Sequence, residues 1–203
     1  MSKVLIGIPN TGGFPMKTVA SLVQLKTPKD TAWAFVGNSL VYDARNDCCD
    51  MVLKEGFDYL LFIDSDMIFP EDSIERLMNL NADVATAVYY ARSGKHQPQV
   101  YSKIYPRTNE ALQICERFTE VPDGVFEVEG CGMGLCLIKR EVIEAVTKEW
   151  YAPFEPLPGL GEDFSFCYKA RERGFKILAD STFEVGHIGE RVYTKEDYIN
   201  GRK

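Results

Sequence analysis

The chain has 203 residues, 45% of them hydrophobic and 26% charged, with a net charge of −7 and a pI near 5.0. That length suits one domain with a sizeable core, and the acidic balance argues against non-specific binding to nucleic acid or anionic membrane, which needs clustered positive charge. No stretch approaches the ~20 apolar residues of a membrane span, and "MSKVLIGIPN" is too short in its apolar run for a signal peptide, so the chain reads as cytoplasmic.

In chain order, "KVLIGI" (Lys3–Ile8) reads as a buried strand closed by Pro9-Asn10 and the Gly12-Gly13 pair. A helix is predicted over Met16–Gln24, and "TAWAFV" (Thr31–Val36) is a second strand ended by Gly37-Asn38. Ala44, Cys48, Met51 and Val52 recur at helical spacing, with Gly56 where a C-terminal cap belongs. "YLLFI" (Tyr59–Ile63) is apolar throughout, as expected of a strand covered on both faces. Pro70 and the acids after it open a helix through Leu80. "DVATAVYY" (Asp83–Tyr90) is the next strand. This β-α-β-α-β-α-β run predicts a doubly wound, mostly parallel sheet flanked by helices.

The second part is less regular. "QPQVYSKIY", "ALQICERFTEV" and "GVFEVEG" look like strands, and "EGCGMGLCLIK" ends in one. Gly130, Gly132 and Gly134 suggest either close approach of backbone to a ligand or a bulge near a sheet edge. "REVIEAVTKEW" is a helix and "YAPFEPLPGLG" a Pro/Gly-rich loop. "EDFSFCYKARERG" is a helix with Phe164, Cys167 and Tyr168 on one side and Gly174 as cap. The strand "FKILA" and the tail "FEVGHIGERVY" follow. The chain reads as a single domain over 1–203, with a nucleotide-binding half at 1–90 and a smaller, mixed-β acceptor-side half at 91–203. The six cysteines include no C-x-x-C pair, which disfavours a zinc ribbon; most are expected as buried thiols.

The informative stretch is "YLLFIDSDM". Ligands of open α/β sheets bind beyond the carboxyl ends of the strands, and Asp64 and Asp66 stand there. On extended chain, residues i and i+2 point the same way. Two such carboxylates can share a hard cation, or one takes the cation and the other a hydroxyl. The alternative is a solvated turn, where aspartate is common.

Three stretches together resemble the GT-A-fold glycosyltransferases, particularly small ones similar to family 2. "ARND…VLKEGFDYLLFIDSDM" resembles the nucleotide-sugar half, with its D-x-D motif ending a central strand. "GLGEDFSFCYKARERGFKI" is similar to the family's E-D motif with the helix and strand after it, and "VGHIG" sits where many such enzymes carry a histidine metal ligand. The segment Gln97–Val128 carries no part of the likeness. The resemblance implies a GT-A (Rossmann-like) fold. It implies that Asp66 binds a divalent cation, Mn²⁺ or Mg²⁺, that Asp64 contacts the donor ribose or the metal through water, and that Ser65 between them faces the donor. His187 would be the second metal ligand; its other reading is a hydrogen-bonded core histidine. Pro9 and Asn10 would cradle the nucleotide base. Arg45 would reach the base or diphosphate, or else is a helix-surface arginine paired with Asp43 or Asp47. Glu162 and Asp163 begin a helix, where they either favour the positive helix end or supply the general base. The family assigns the base to the aspartate, and a helix N-terminus is expected to keep it ionised at pH 7. Trp150, Tyr151 and Phe154 would stack on a sugar or simply pack, and the loop Tyr151–Gly161 is expected to act as a lid. His96 is expected as a surface residue or substrate contact.

The expected function is metal-dependent transfer of a sugar from a nucleoside-diphosphate sugar, a UDP-sugar first, to an acceptor hydroxyl with inversion. The acceptor class spans saccharide, protein, lipid head group or a modified nucleic-acid base. The rivals are a nucleotidyltransferase, whose basic Gly-rich loop "PNTGGFPMK" echoes only distantly, a nucleotide-sugar-binding protein without turnover, and an interaction protein on a retained fold.

Overall fold

A computed structural model describes residues 2–10, 12–37, 40–92, 95–189 and 192–200. Asn38, expected with Gly37 to end the second strand, lies outside the described residues, as do Glu190 and Arg191 of the tail. The elements are β1 (Val4–Asn10), α1 (Met16–Gln24), β2 (Thr31–Gly37), α2 (Val41–Glu55), β3 (Tyr59–Ile63), β4 (Met67–Ile68), α3 (Ser73–Asn79), β5 (Val84–Ala87), β6 (Val100–Tyr105), β7 (Ile114–Arg117), β8 (Val125–Val128), β9 (Gly130–Cys131), β10 (Leu135–Lys139), α4 (Arg140–Trp150), α5 (Glu162–Glu172), β11 (Ile177–Asp180), β12 (Gly186–Ile188), β13 (Val192–Tyr193) and α6 (Lys195–Asn200).

The main sheet has seven strands in the order β2-β1-β3-β10-β5-β11-β8. β1 pairs in parallel with β2 and β3, and β5 with β11; β10 runs antiparallel to both β3 and β5, and β8 antiparallel to β11. The mixed α/β, mostly parallel sheet is therefore present. The continuous first half is not, because β10 inserts between β3 and β5. The smaller β region consists of two three-stranded antiparallel ladders, β13-β12-β4 and β7-β6-β9.

β3 explains the core. Alternate residues of a strand face opposite sides. Leu60 and Phe62 enter one apolar cluster with Cys48, Phe154 and Phe166. Leu61 and Ile63 enter the other with Ile6, Ile8 and Leu77. All four β3 side chains are fully buried, and burying each contributes roughly 1.5–3 kcal/mol. Gly56 caps α2 in the left-handed region at φ 69°, as its position predicts.

Several local expectations shift. α3 begins at Ser73 rather than at Pro70, because the Ser73 amide and hydroxyl both donate to the Pro70 carbonyl and close a turn first. The buried stripe of α5 passes through Ser165, Phe166, Cys167, Lys169 and Ala170; Phe164 and Tyr168 are only half-buried. Lys169 is 1% exposed. Its Nζ donates to the carbonyls of Ala152, Pro153 and Glu155, and burial lowers its pKa to about 8. Those bonds hold the Pro/Gly-rich segment that the sequence suggests is a lid. Phe154 in its middle is fully buried, stacked on Phe166 at 4.5 Å and edge-on to Phe62 at 5.4 Å. It therefore packs in the core rather than against a sugar; Tyr151, 90% exposed, is the free aromatic of this segment. Five of the six cysteines are buried, Cys115 is exposed, and none is in a disulfide. No helix among the described residues is long and apolar enough to cross a membrane.

Candidate active site

A cleft of about 290 Å³ opens beyond the carboxyl ends of β1, β2 and β3. Its lining brings together Pro9, Asn10, Val36, Val41, Ala44, Arg45, Asp64, Ser65, Asp66, Arg92, Glu162, Asp163 and His187. Every residue that the sequence marks for donor, metal or base therefore borders one cavity. His96 is not among them; it is half-buried at φ 49°, and its Nδ1 contacts the Ala91 carbonyl at 3.2 Å.

The two aspartates of the D-x-D run do not point the same way. The chain leaves β3 in a turn closed by the Met67 amide donating to the Asp64 carbonyl at 3.2 Å, so the extended-chain argument does not hold here. Asp64 turns to α2, where Arg45 Nη2 donates to its Oδ1 at 3.1 Å. Asp66 turns to β12 and to the end of the β5 segment. Its Oδ1 lies 3.4 Å from His187 Nε2, and Arg92 Nη1 donates to its Oδ2 at 2.5 Å. Burial opposes ionisation of Asp66, but a proton on His187 Nε2 and the Arg92 guanidinium outweigh it and hold its pKa below the usual carboxylate range.

His187 is positioned by the small antiparallel sheet. β12 pairs with β4, setting His187 opposite Met67 and carrying the Ile188 amide to the Asp66 carbonyl at 2.8 Å. The ring Nδ1 lies 3.0 Å from the Tyr90 carbonyl. A carbonyl only accepts, so Nδ1 carries the hydrogen and a neutral ring turns its Nε2 lone pair toward Asp66. Two electron-rich atoms 3.4 Å apart need a proton or a cation between them. Ligand atoms about 2.1 Å from a divalent ion and roughly at right angles lie ~3 Å apart, close to this separation. A backbone carbonyl behind the ring is also the usual support of a ligating histidine. The donor set thus fits Mn²⁺ or Mg²⁺. Among the described residues no group of three or more His, Cys, Asp or Glu side chains could hold a metal, so oxygens of a bound ligand would have to complete the shell.

Arg45 matches neither surface pairing. Although it sits on α2 beside Asp43 and Asp47, it is 2% exposed and lies over Phe62 at 5.1 Å. It joins Asp64 to Asp163, its Nε being 3.2 Å from Asp163 Oδ1. That contact is close but not aligned as a hydrogen bond, and Nη1 is buried with no hydrogen-bond partner among the described residues. Asp163 also accepts from the Met133 amide at 3.2 Å. Its pKa is pushed up to about 7: burial raises it most, Arg45 opposes, and Glu162 and Asp64 raise it further. The helix N-terminus does not keep it fully ionised, because desolvation is the larger effect.

The three glycines serve packing. A Cβ at Gly132 would lie 2.0 Å from the Tyr89 hydroxyl oxygen, and one at Gly134 would lie 2.8 Å from the same ring. The close approach is by Tyr89, whose hydroxyl accepts from the Gly134 amide at 3.2 Å, not by a ligand. Arg92 is the functional candidate that sequence reading missed. Its only signal was a basic residue just past the carboxyl end of a strand.

No protein-family model matches the chain, and a search of curated proteins returned no match. Solved structures do match. "A197 from STIV" superposes with a TM-score of 0.70 at 26% identity, covering 96% of this chain and 91% of that one. GalNAc-T7, solved with UDP, GalNAc and Mn²⁺, superposes with a TM-score of 0.60 at 12% identity over 98% of this chain. This chain spans about half of GalNAc-T7, 47% of its length. The fold is accordingly GT-A-like.

Proposed function

We propose that this protein transfers a sugar from a nucleoside-diphosphate sugar, UDP-linked first among candidates, to an acceptor hydroxyl with inversion and with dependence on Mn²⁺ or Mg²⁺. The observation that carries the reading is the meeting of Asp66 and His187, from distant parts of the chain, at 3.4 Å in the cleft that Asp163 also lines. Asp66 and His187 would hold the cation, with Asp64 at the donor ribose or a metal-bound water. When bound, the cation would stabilise charge on the departing diphosphate. Pro9 and Asn10 line the cleft at the end of β1, where a nucleotide base would lie. Asp163 takes the proton of the acceptor hydroxyl as its oxygen bonds to the anomeric carbon and the bond to the diphosphate breaks. A carboxyl with a pKa near 7 is matched to that task, since a general base works best when its pKa is close to the operating pH. That the GalNAc-T7 structure contains UDP and Mn²⁺ supports the choice of donor and metal.

The test is calorimetry with UDP, with and without Mn²⁺. The parent binds UDP in a Mn²⁺-dependent way and is stabilised by ~2.7 kcal/mol at a hundredfold excess over Kd; Asp66→Ala does neither yet keeps its fold. Equal binding by parent and Asp66→Ala would displace the site. One observation favours a second reading, a nucleotide-sugar binder without transfer: Asp163 is already engaged by Arg45 and the Met133 amide. Donor hydrolysis separates the two, because a binder releases no sugar.

A further inference from the structure

The cleft has four carboxylates, Asp64, Asp66, Glu162 and Asp163, against two guanidiniums, Arg45 and Arg92. Arg45 is fixed, 2% exposed and held between two aspartates. The Arg92 side chain is 50% exposed and held at one end only, by Asp66 Oδ2 and the Ile188 carbonyl at 3.4 Å. Of the two cations, Arg92 alone can change partner without opening the core. Among the described residues lining this net-negative cleft, it is the one basic side chain able to turn toward an entering diphosphate.

The two oxygens of Asp66 are divided between two partners, Oδ1 toward His187 Nε2 and Oδ2 toward Arg92 Nη1. A divalent cation at Oδ1 would stand beside a guanidinium at Oδ2, and the two like charges repel. A diphosphate removes the conflict, because a guanidinium fits phosphate oxygens in a fork. We propose that Arg92 is the resident counter-ion of Asp66, exchanging that carboxylate for the diphosphate of the ligand when a divalent cation takes Asp66. Metal and diphosphate then bind as a pair, each raising the affinity of the other by the same factor. This rests on Asp66 and His187 being the cation seat.

Mn²⁺ binding followed by the EPR signal of the free ion tests the idea without any transfer assay. In the parent, UDP tightens Mn²⁺ binding, by a factor in the range of about 5–150. Arg92→Gln, at an exposed side chain whose loss leaves the core intact, binds Mn²⁺ several-fold more tightly without nucleotide, and its UDP-dependent gain falls toward one. Arg92→Lys restores part of the gain. Inorganic pyrophosphate reproduces the UDP effect in the parent and uridine does not. A parent that binds Mn²⁺ neither alone nor with UDP sinks the seat and the proposal together. A parent coupled to UDP whose Arg92→Gln variant is coupled equally overturns the proposal and leaves the seat standing, as does equal coupling by uridine.

Discussion

Two arginine–aspartate pairs stand in one cleft, on aspartates two residues apart, and they behave as opposites. Arg45 and Asp64 meet at the floor, where the arginine side chain is 2% exposed and also faces Asp163. Arg92 and Asp66 meet at the rim, where the arginine side chain is 50% exposed. Burial, not residue type, sets the difference. At the floor the guanidinium is removed from water and held between two aspartates that are themselves mostly covered, so the pair is structural and rigid. At the rim the guanidinium keeps much of its hydration, so the pair adds little stability and is free to exchange partners.

Removing one member of each pair gives the widest separation. Arg45→Met leaves Asp64 and Asp163 facing an apolar side chain and is expected to cost about 3–5 kcal/mol. Arg92→Met is expected to cost under ~1 kcal/mol. Urea denaturation at pH 7 measures both, and equal losses would erase the distinction. Adding Asp163→Asn to Arg45→Met should recover part of the loss, because one uncompensated carboxylate is then gone.

Next in size is Asp163→Asn alone, which should lose transfer by at least ~10²-fold while UDP and Mn²⁺ still bind. A product carrying the donor's own anomeric configuration, read by NMR, would sink this role, since retention needs no such base. The same substitution has a signature in stability. The Asp163 pKa is raised to about 7 in the folded protein, against ~3.9 for an unfolded aspartate. Between those values the folded state binds more protons than the unfolded one. Stability from this group is therefore full below about pH 4 and lost as pH rises toward 7. Asp163→Asn should flatten that decline in a series of thermal melts. At the rim, His187→Ala should weaken Mn²⁺-dependent UDP binding by roughly ten- to a hundredfold without changing the melting temperature much.

The floor and the rim also differ in how far the sequence announces them. β1, α1, β2, α2 and β3 follow from apolar runs cut by Gly and Pro, which are local signals. The position of β10 between β3 and β5 is not local. "LCLIK" declares a strand but not its neighbours. β4, β12 and β13 are two or three residues each, too short for any period, yet they carry His187 to Asp66. Arg45 was visible as a site residue but not as a buried one. Its neighbours Ala44, Cys48 and Cys49 are buried, which places position 45 at the edge of the inward face. His187 was expected beside Asp66, but Arg92 on Asp66 and Arg45 on Asp64 were hidden because the turn after β3, not the strand alternation, aims the two carboxylates.

The smallest expected effect separates the two acids that open α5. Glu162 precedes Asp163 at the start of α5 and is half-buried, so its charge reaches Asp163 through a partly dry path. It is one of the groups that raise the Asp163 pKa, after burial and against the opposing pull of Arg45. Neutralising it removes a like charge while leaving Arg45, the Met133 amide and the burial in place. The folded pKa of Asp163 must then fall. The base is active when ionised, so the rising limb of kcat/KM against pH should move to lower pH in Glu162→Gln. The shift should be under about one unit, which is less than ~1.4 kcal/mol. At the rim, Arg92 stands against Asp66, not Asp163, so Arg92→Gln should leave that limb where it is and change Mn²⁺ dependence instead. A limb that stays put in Glu162→Gln, or moves up, would mean that the group titrating in catalysis is not Asp163.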